Sequence, residues 1–195
     1  SRESVSNKVK HGSYYAIPYF NNFEKAESVE GEYTFIDNNN DREYVWSYAN
    51  SYDGVGYVLQ YNCNWNSYKS ADDYAVTPAI KFEKAKYYKL TFQHILNESW
   101  SEYINDLELM IGTEATVDAL NMQIADFQDI TNSDTDTKDV YFTVPDDGMY
   151  HVAFHIYSGA GQGLFWVNDL GIEEVGLAEA PASVDFELTP INEEP

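Results

Sequence analysis

The strongest constraint on this chain is an alternation of apolar and polar residues with a period of two, repeated in separate short segments. Tyr88, Leu90 and Phe92 alternate with Lys89 and Thr91, while Leu107, Leu109 and Ile111 oppose Glu108. Val140, Phe142 and Val144 repeat the pattern, as do Val152, Phe154 and Ile156. Successive side chains of a strand leave opposite faces, so each segment makes a half-buried strand with one apolar side. The segments are rich in β-branched and aromatic residues and are divided by Gly, Pro, Asn and Asp clusters. Only residues 116–121 read as a short helical turn. Many short strands of this kind bury their apolar sides by facing a second sheet. The expected fold is all-β, a two-sheet antiparallel β-sandwich of jelly-roll type.

The turns and flanks set the expected organisation. Pro145, Asp146, Asp147 and Gly148 supply a preset φ, side-chain acceptors and tolerance of positive φ, which predicts a hairpin between the strands on either side. Gly159, Gly161 and Gly163 predict a second loop before Leu164, Phe165, Trp166 and Val167. After Glu174 the alternation fades into Ala178, Glu179, Ala180, Pro181, Ala182 and Ser183, a linker composition. Residues 1–15 therefore read as a peripheral segment, 16–176 as the sandwich domain, and 177–195 as a linker toward a following domain. The chain shows no internal repeat.

Charge and cysteine usage exclude several function classes. Thirty-three acidic against eleven basic residues give a formal net charge of −22, which repels nucleic acid and anionic lipid surfaces. The same field attracts cations, with calcium the natural counter-charge. Cys63 stands alone, so no internal disulfide and no multi-cysteine zinc site can form. No apolar stretch approaches the roughly 20 residues that span a bilayer. The chain opens on Ser1, Arg2 and Glu3 without a signal-peptide pattern, and any export signal is expected to precede this numbering.

Two local patterns carry binding chemistry. Asp37, Asn39 and Asp41 place oxygen donors at alternate positions, as in the first half of a calcium loop. A glycine at the sixth position and flanking helices are both missing, which excludes an EF-hand. A strand-loop calcium site and an ordinary Asn-rich turn both stay open. The second pattern is aromatic: 17 Tyr, 10 Phe and 4 Trp make up 16% of the chain. Flat rings stack on sugar faces while Asp, Asn and Gln bond the hydroxyls. Trp65, Tyr68 and Trp100 are the loop candidates for such contacts, although rings also fill sandwich cores. Trp46 and Trp166, inside strand-like segments, are read as core.

Catalytic patterns are weaker. His151 and His155 lie about 13 Å apart on a strand and cannot share a metal ion. His94 alternates with Phe92 and reads as a satisfied, half-buried histidine. The glycine run at 159–163 precedes a strand rather than a helix, so it cannot present a helix N-terminus to phosphate. Asp106 and Glu108 share one face at about 6 to 7 Å, a spacing a glycosidase could use. No signal of split pKa values and no nucleophile elbow accompanies them, and the expectation is no enzyme.

The order of motifs along the chain adds a resemblance. Ile17-Pro18-Tyr19-Phe20-Asn21-Asn22-Phe23-Glu24 is followed by Phe35-Ile36-Asp37-Asn38-Asn39-Asn40-Asp41 and Trp46. Next come Ala71-Asp72-Asp73-Tyr74-Ala75-Val76-Thr77-Pro78-Ala79-Ile80 and Tyr87-Tyr88-Lys89-Leu90-Thr91-Phe92. Leu109-Met110-Ile111-Gly112-Thr113, Val144-Pro145-Asp146-Asp147-Gly148-Met149-Tyr150 and Phe165-Trp166-Val167-Asn168-Asp169-Leu170-Gly171-Ile172 complete the series. Together these segments resemble the cleaved adhesin and choice-of-anchor J domains of bacterial surface proteins.

That resemblance implies a jelly-roll sandwich related to MAM-type domains on a secreted or cell-surface, outer membrane-attached protein. Fibronectin-type or immunoglobulin-like neighbours are expected beside it. It also implies a structural calcium joining the early acidic loop to the last strand, with Glu24, Asp37, Asn39, Asp41 and Asp169 as ligands. The family's loop often reads Asp-x-Asp-Gly-Asp, whereas Asn39 and Asn40 here remove one formal charge and one glycine, which lowers the expected affinity. The function implied is a non-catalytic adhesion or carbohydrate-binding module whose partner is a glycan or a host or cell-surface protein. A structural spacer is the alternative, and a small jelly-roll glycoside hydrolase the third reading.

Overall fold

The structure, a computed structural model, describes residues 10–51, 55–62, 68–97 and 103–181. The described residues form fourteen strands, starting with β1 (Lys10–His11), β2 (Tyr14–Tyr15) and β3 (Tyr19–Asn21). Then follow β4 (Thr34–Asp37), β5 (Trp46–Asn50), β6 (Tyr57–Tyr61), β7 (Asp73–Val76) and β8 (Ile80–Phe82). The longer strands come later: β9 (Tyr87–Asn97), β10 (Asn105–Gly112), β11 (Met122–Ile130), β12 (Asp136–Phe142), β13 (Gly148–Ile156) and β14 (Leu164–Val175).

They assemble into two facing sheets. The first runs β1-β2-β8-β13-β10-β11, with β7 pairing both β13 and β4. The second runs β12-β9-β14-β6-β5, with β3 added against β14. Pairings are antiparallel apart from a single parallel contact, Tyr15 opposite Ile80. The fold is thus the expected antiparallel sandwich. Its core is filled by the alternating residues: Leu90 and Phe92 from β9, Leu107 and Leu109 from β10, and Phe154 and Ile156 from β13 are all fully buried.

The Pro145 to Gly148 turn does not close a hairpin. β12 pairs with β9 in the second sheet, whereas β13 pairs with β8, β7 and β10 in the first. The segment is an arch over the end of the sandwich, and its turn chemistry serves that purpose. The Asp147 carboxylate accepts the Lys84 amide at 2.6 Å, and the Tyr150 hydroxyl donates to the Asp146 carbonyl at 3.0 Å. Phe142 and Val144 both enter the core. A turn sequence reports a reversal of direction, not which sheet receives the chain.

Two irregularities shape the surface. The 116–121 turn forms as expected, with the Leu120 and Ala119 amides both donating to the Thr116 carbonyl. Leu120 lies in a second apolar cluster with Tyr74, Val76 and Ala153, covering part of the outer side of the first sheet. In β14, Asn168 faces Gln93 while Gly171 faces Thr91, so three steps on one strand meet two on the other. This bulge shifts the inward positions from Phe165 and Val167 to Leu170 and Ile172. Asp169 occupies it at φ 52°, in the left-handed region that aspartate tolerates better than most residues.

Candidate functional site

The acidic loop leaves β4 at Asp37 and folds around its own carboxylates. The Asp41 amide donates to Asp37 Oδ1 at 3.2 Å and to Asn39 Oδ1 at 3.0 Å, and the Arg42 amide to Asp37 Oδ2 at 2.9 Å. Asp41 Oδ1 in turn accepts the amides of Glu43 and Tyr44. Asn40 and Arg42 take positive φ, which lets the loop curl this tightly. Two side chains tie it to the approach of β7: Asn38 Nδ2 donates to Asp72 Oδ2 at 2.7 Å, and Asn39 Nδ2 to the Ser70 carbonyl at 2.8 Å.

Across the β4/β7 pairing, Asp37 stands opposite Asp73. Asp73 is fully buried; its Oδ2 accepts the Asp72 amide at 3.1 Å while Oδ1 has no hydrogen-bond partner. Its carboxyl is pushed up to about 7, mainly by burial, with the negative charges of Asp41, Asp37 and Asp72 adding to the rise. The Asp72 amide works in the opposite direction. A buried carboxylate oxygen without a partner, among three further carboxylates, is an arrangement that a bound cation relieves.

Asp37, Asn39 and Asp41 are therefore brought together, and Asp73 joins them. Asp169 lies in β14 of the other sheet and Glu24 three residues beyond the end of β3, near the junction where Asn21 of β3 faces Leu170 of β14. Among the described residues, no group of three or more His, Cys, Asp or Glu side chains is placed to hold a metal ion by itself. The hard oxygen donors around Asp73 are of the kind calcium takes. Asp73 was not foreseen as part of this group. Its signal was an acidic residue at the mouth of Tyr74-Ala75-Val76, a run without alternation and therefore covered on both faces.

A second polar group lies on the outer side of the first sheet. His155 Nδ1 is 2.6 Å from Glu108 Oε1, and Nε2 is 2.8 Å from Asp72 Oδ1. A ring N–H here donates to the carboxylate it faces. Glu108 Oε2 accepts the Gln123 side-chain amide. Asp106 Oδ1 accepts the Asp129 backbone amide at 2.9 Å. Both carboxylates of the glycosidase-like spacing are thus engaged structurally. His151 bonds the Thr77 carbonyl at 2.7 Å, apart from His155 as the strand spacing required.

The remaining candidates divide cleanly. Tyr68 follows β6 on the way to β7 and is fully exposed, while Trp65 and Trp100 lie outside the described residues. Trp46 is buried in the core, its indole N–H donating to the Asp73 carbonyl at 3.1 Å. Trp166 is also buried, but it points outward from the second sheet with its N–H on Gln60 Oε1 at 2.7 Å. His94 is more deeply buried than expected, and neither ring nitrogen makes a hydrogen bond; Nε2 approaches Asp136 Oδ2 only to 3.4 Å.

No protein-family model matches this sequence, and no curated protein matches it. Solved structures do share the fold. The K1 cleaved adhesin domain of Lys-gingipain from Porphyromonas gingivalis W83 is similar with a TM-score of 0.58 at 14% identity, covering 82% of this chain and 99% of that one. The K3 cleaved adhesin domain of the same protein gives 0.58 at 13% identity, covering 75% and 92%. The CBM22-1 and GH10 modules of Clostridium thermocellum endo-1,4-beta-D-xylanase 10B, complexed with xylohexaose, give 0.52 at 11% identity, covering 80% of this chain and 28% of that one. At such identities the likeness is one of fold, and the fold is that of the cleaved adhesin domains.

Proposed function

We propose that this chain is a non-catalytic adhesion or carbohydrate-binding module of a secreted or cell-surface protein, stabilised by calcium at the loop of Asp37, Asn39 and Asp41. The observation that carries the reading is one of extent: the match spans 99% and 92% of the K1 and K3 cleaved adhesin domains. A fold alone does not fix a function, and two features of the side chains add to it. Asp106 and Glu108 hold structural hydrogen bonds rather than facing a substrate cleft as an acid and base. Tyr68 presents a free ring to solvent, with Trp65 and Trp100 as further stacking candidates.

Calcium is supported by the unpartnered Asp73 oxygen and the carboxylates around it. Asp37, Asn39, Asp41 and Asp73 would hold it, and bound there the ion supplies positive charge that fastens the loop to β7. The net charge of −22 disfavours anionic ligands and nucleic acid. The partner is therefore a neutral glycan, or a host or cell-surface protein presenting one.

A glycan array probed in the presence of calcium tests the reading. Binding above background that is lost on Tyr68→Ala supports it. Silence across the array favours the spacer, a sandwich that only displays its fibronectin-type or immunoglobulin-like neighbours.

A further inference from the structure

β5 ends one side of the second sheet, and half of its backbone polar groups face away from it. The Ser51 amide donates to the Gly56 carbonyl at 2.8 Å and the Asn62 amide to the Val45 carbonyl at 3.2 Å, which sets the alternation of the β5/β6 pair. Ser47 and Ala49 therefore bond β6, and the N–H and C=O groups of Trp46, Tyr48 and Asn50 point outward. β7 lies alongside the Trp46 end, where its Asp73 carbonyl accepts the indole N–H. Among the described residues, nothing takes the outward groups of Tyr48 and Asn50.

Sheet edges are ordinarily defended against other chains, and the opposite side of this sandwich is. β12 sets Lys138 across from the core residue Phe92, with Nζ 5.7 Å from the centre of the Phe127 ring. β11 meets β10 with register shifts and carries Asp126 and Asp129. β5 has none of these devices. Trp46-Ser47-Tyr48-Ala49-Asn50 holds no charge and no proline and keeps a regular register with β6.

The surroundings of this edge select its occupant. The Tyr48 ring stacks on Tyr57 of β6, with 5.0 Å between centroids and 17° between planes, and Tyr57 is still 43% exposed. The Tyr48 hydroxyl donates to the Phe23 carbonyl at 2.7 Å, which brings the segment after β3 against the pair. Exposed Glu27 and Glu30 lie in that segment, close enough for their charges to add to the rise that burial and Tyr57 cause in the Tyr48 hydroxyl. Lys25 is the only basic residue between Asn22 and Tyr33. An exposed, pre-stacked ring beside carboxylates attracts a planar cation. A second copy of this chain, with the same net charge of −22, is repelled.

We propose that the β5 edge docks an extended, arginine-bearing segment of a partner protein. The segment bonds the backbone of Tyr48 and Asn50 as an added strand, and an arginine side chain lies over Tyr57 in the field of Glu27 and Glu30. Such docking needs no glycan and is independent of the exposed Tyr68.

A fluorescent, end-capped hexapeptide alternating arginine and valine is titrated against the protein. Two control peptides carry glutamate in place of arginine, or N-methyl groups on the backbone amides. The arginine peptide is expected to bind and the controls are not. On binding, hydrogen exchange should slow at the Tyr48 and Asn50 amides and stay unchanged at Ala49, which already bonds β6. Asn50→Pro removes an outward donor without touching the β6 ladder and should weaken binding about tenfold, the effect of one backbone hydrogen bond. Tyr57→Ala should weaken it about fivefold by removing the cation–π contact. Glu27→Gln combined with Glu30→Gln should act in the same direction and flatten the salt dependence. If Asn50→Pro does not fold, the exchange at Tyr48 and Asn50 decides. Binding that survives N-methylation, or that leaves those two amides unprotected, is attraction to the net charge alone and overturns the docking edge. A wild-type dimer that Asn50→Pro converts to monomer overturns it as well, because the occupant is then a second copy. Failure of the arginine peptide to bind has the same result.

Discussion

The imidazole of His155 lies flat on the ring of Tyr74, with 3.9 Å between centroids and 3° between planes. The stack places β13 beside β7, and the two ring nitrogens extend the connection to Asp72 and, on β10, to Glu108. The Tyr74 hydroxyl is pushed up to about 12, mainly by burial and then by the charges of Asp72 and Glu108. One side chain thus fastens three segments of the first sheet.

Replacing His155 with alanine removes the stack and both carboxylate contacts. Buried ion pairs lose about 3–5 kcal/mol when one partner is deleted and exposed pairs about 0–1. The Asp72 side chain is 40% exposed, which places the expected loss between these, at about 2 kcal/mol. Thermal unfolding followed by circular dichroism should show the midpoint fall by about 4–8 °C. A change of under a degree would mean the clamp contributes nothing to stability.

At Asp73 the expected sign depends on calcium. In chelator at pH 7.5 the buried carboxyl is largely ionised and lacks a partner for Oδ1, so Asp73→Asn should raise the melting midpoint. In excess calcium wild type gains stability by mass action, about 2.7 kcal/mol at 100 times the dissociation constant, and the variant gains less. Four melting curves test this, and equal responses of the two proteins to calcium would remove Asp73 from the ligand set.

Burial holds His94 below its ordinary 6.5, outweighing the pull of nearby Asp136. The folded state therefore keeps the ring neutral, and its stability contribution is complete above the unfolded value. It is lost as pH falls through 6.5 toward the depressed folded value. Between about pH 7 and 5.5 the wild-type midpoint should decline more steeply than that of His94→Phe, which retains a ring against Phe165. Parallel slopes would show that His94 does not titrate differently in the fold.

Gly112 ends β10 beneath the 116–121 turn, and a Cβ built there would meet the Ala119 carbonyl oxygen at 1.9 Å. Backbone cannot move aside as a flexible side chain can. Gly112→Ala should cost about 4 kcal/mol or more, among the rarer large effects of single substitutions. Denaturant unfolding would measure it, and a loss below 1 kcal/mol would show that the turn lifts freely from the sheet.

What the sequence made legible follows from how each element is exposed. β9, β10 and β12 each have one covered and one wetter side, so Leu90, Leu109 and Phe142 stand out by alternation, while Phe154 stands out because its buried neighbours Ala153 and His155 are less apolar. β7 has both sides covered, and Tyr74, Ala75 and Val76 show no period. The Asp37 loop was readable because the bonds of Asp37 and Asp41 reach only a few residues along the chain. Asp73 and His155 act through partners brought close by folding, His155 meeting Asp72 across 83 positions and Glu108 across 47. The β14 bulge was hidden for a related reason: an extra residue shifts the register without changing the composition.

The place of β14 between β9 and β6 has a consequence for synthesis. As the chain leaves the ribosome, β5 and β6 can pair early and β9 can take β12 soon after, yet these two ribbons share no bonded edge until Leu164–Val175 emerges between them. Until then two strand edges rich in tyrosine and phenylalanine stand open to other chains. Truncation within β14 would therefore leave a product that accumulates as aggregate rather than as a shorter sandwich.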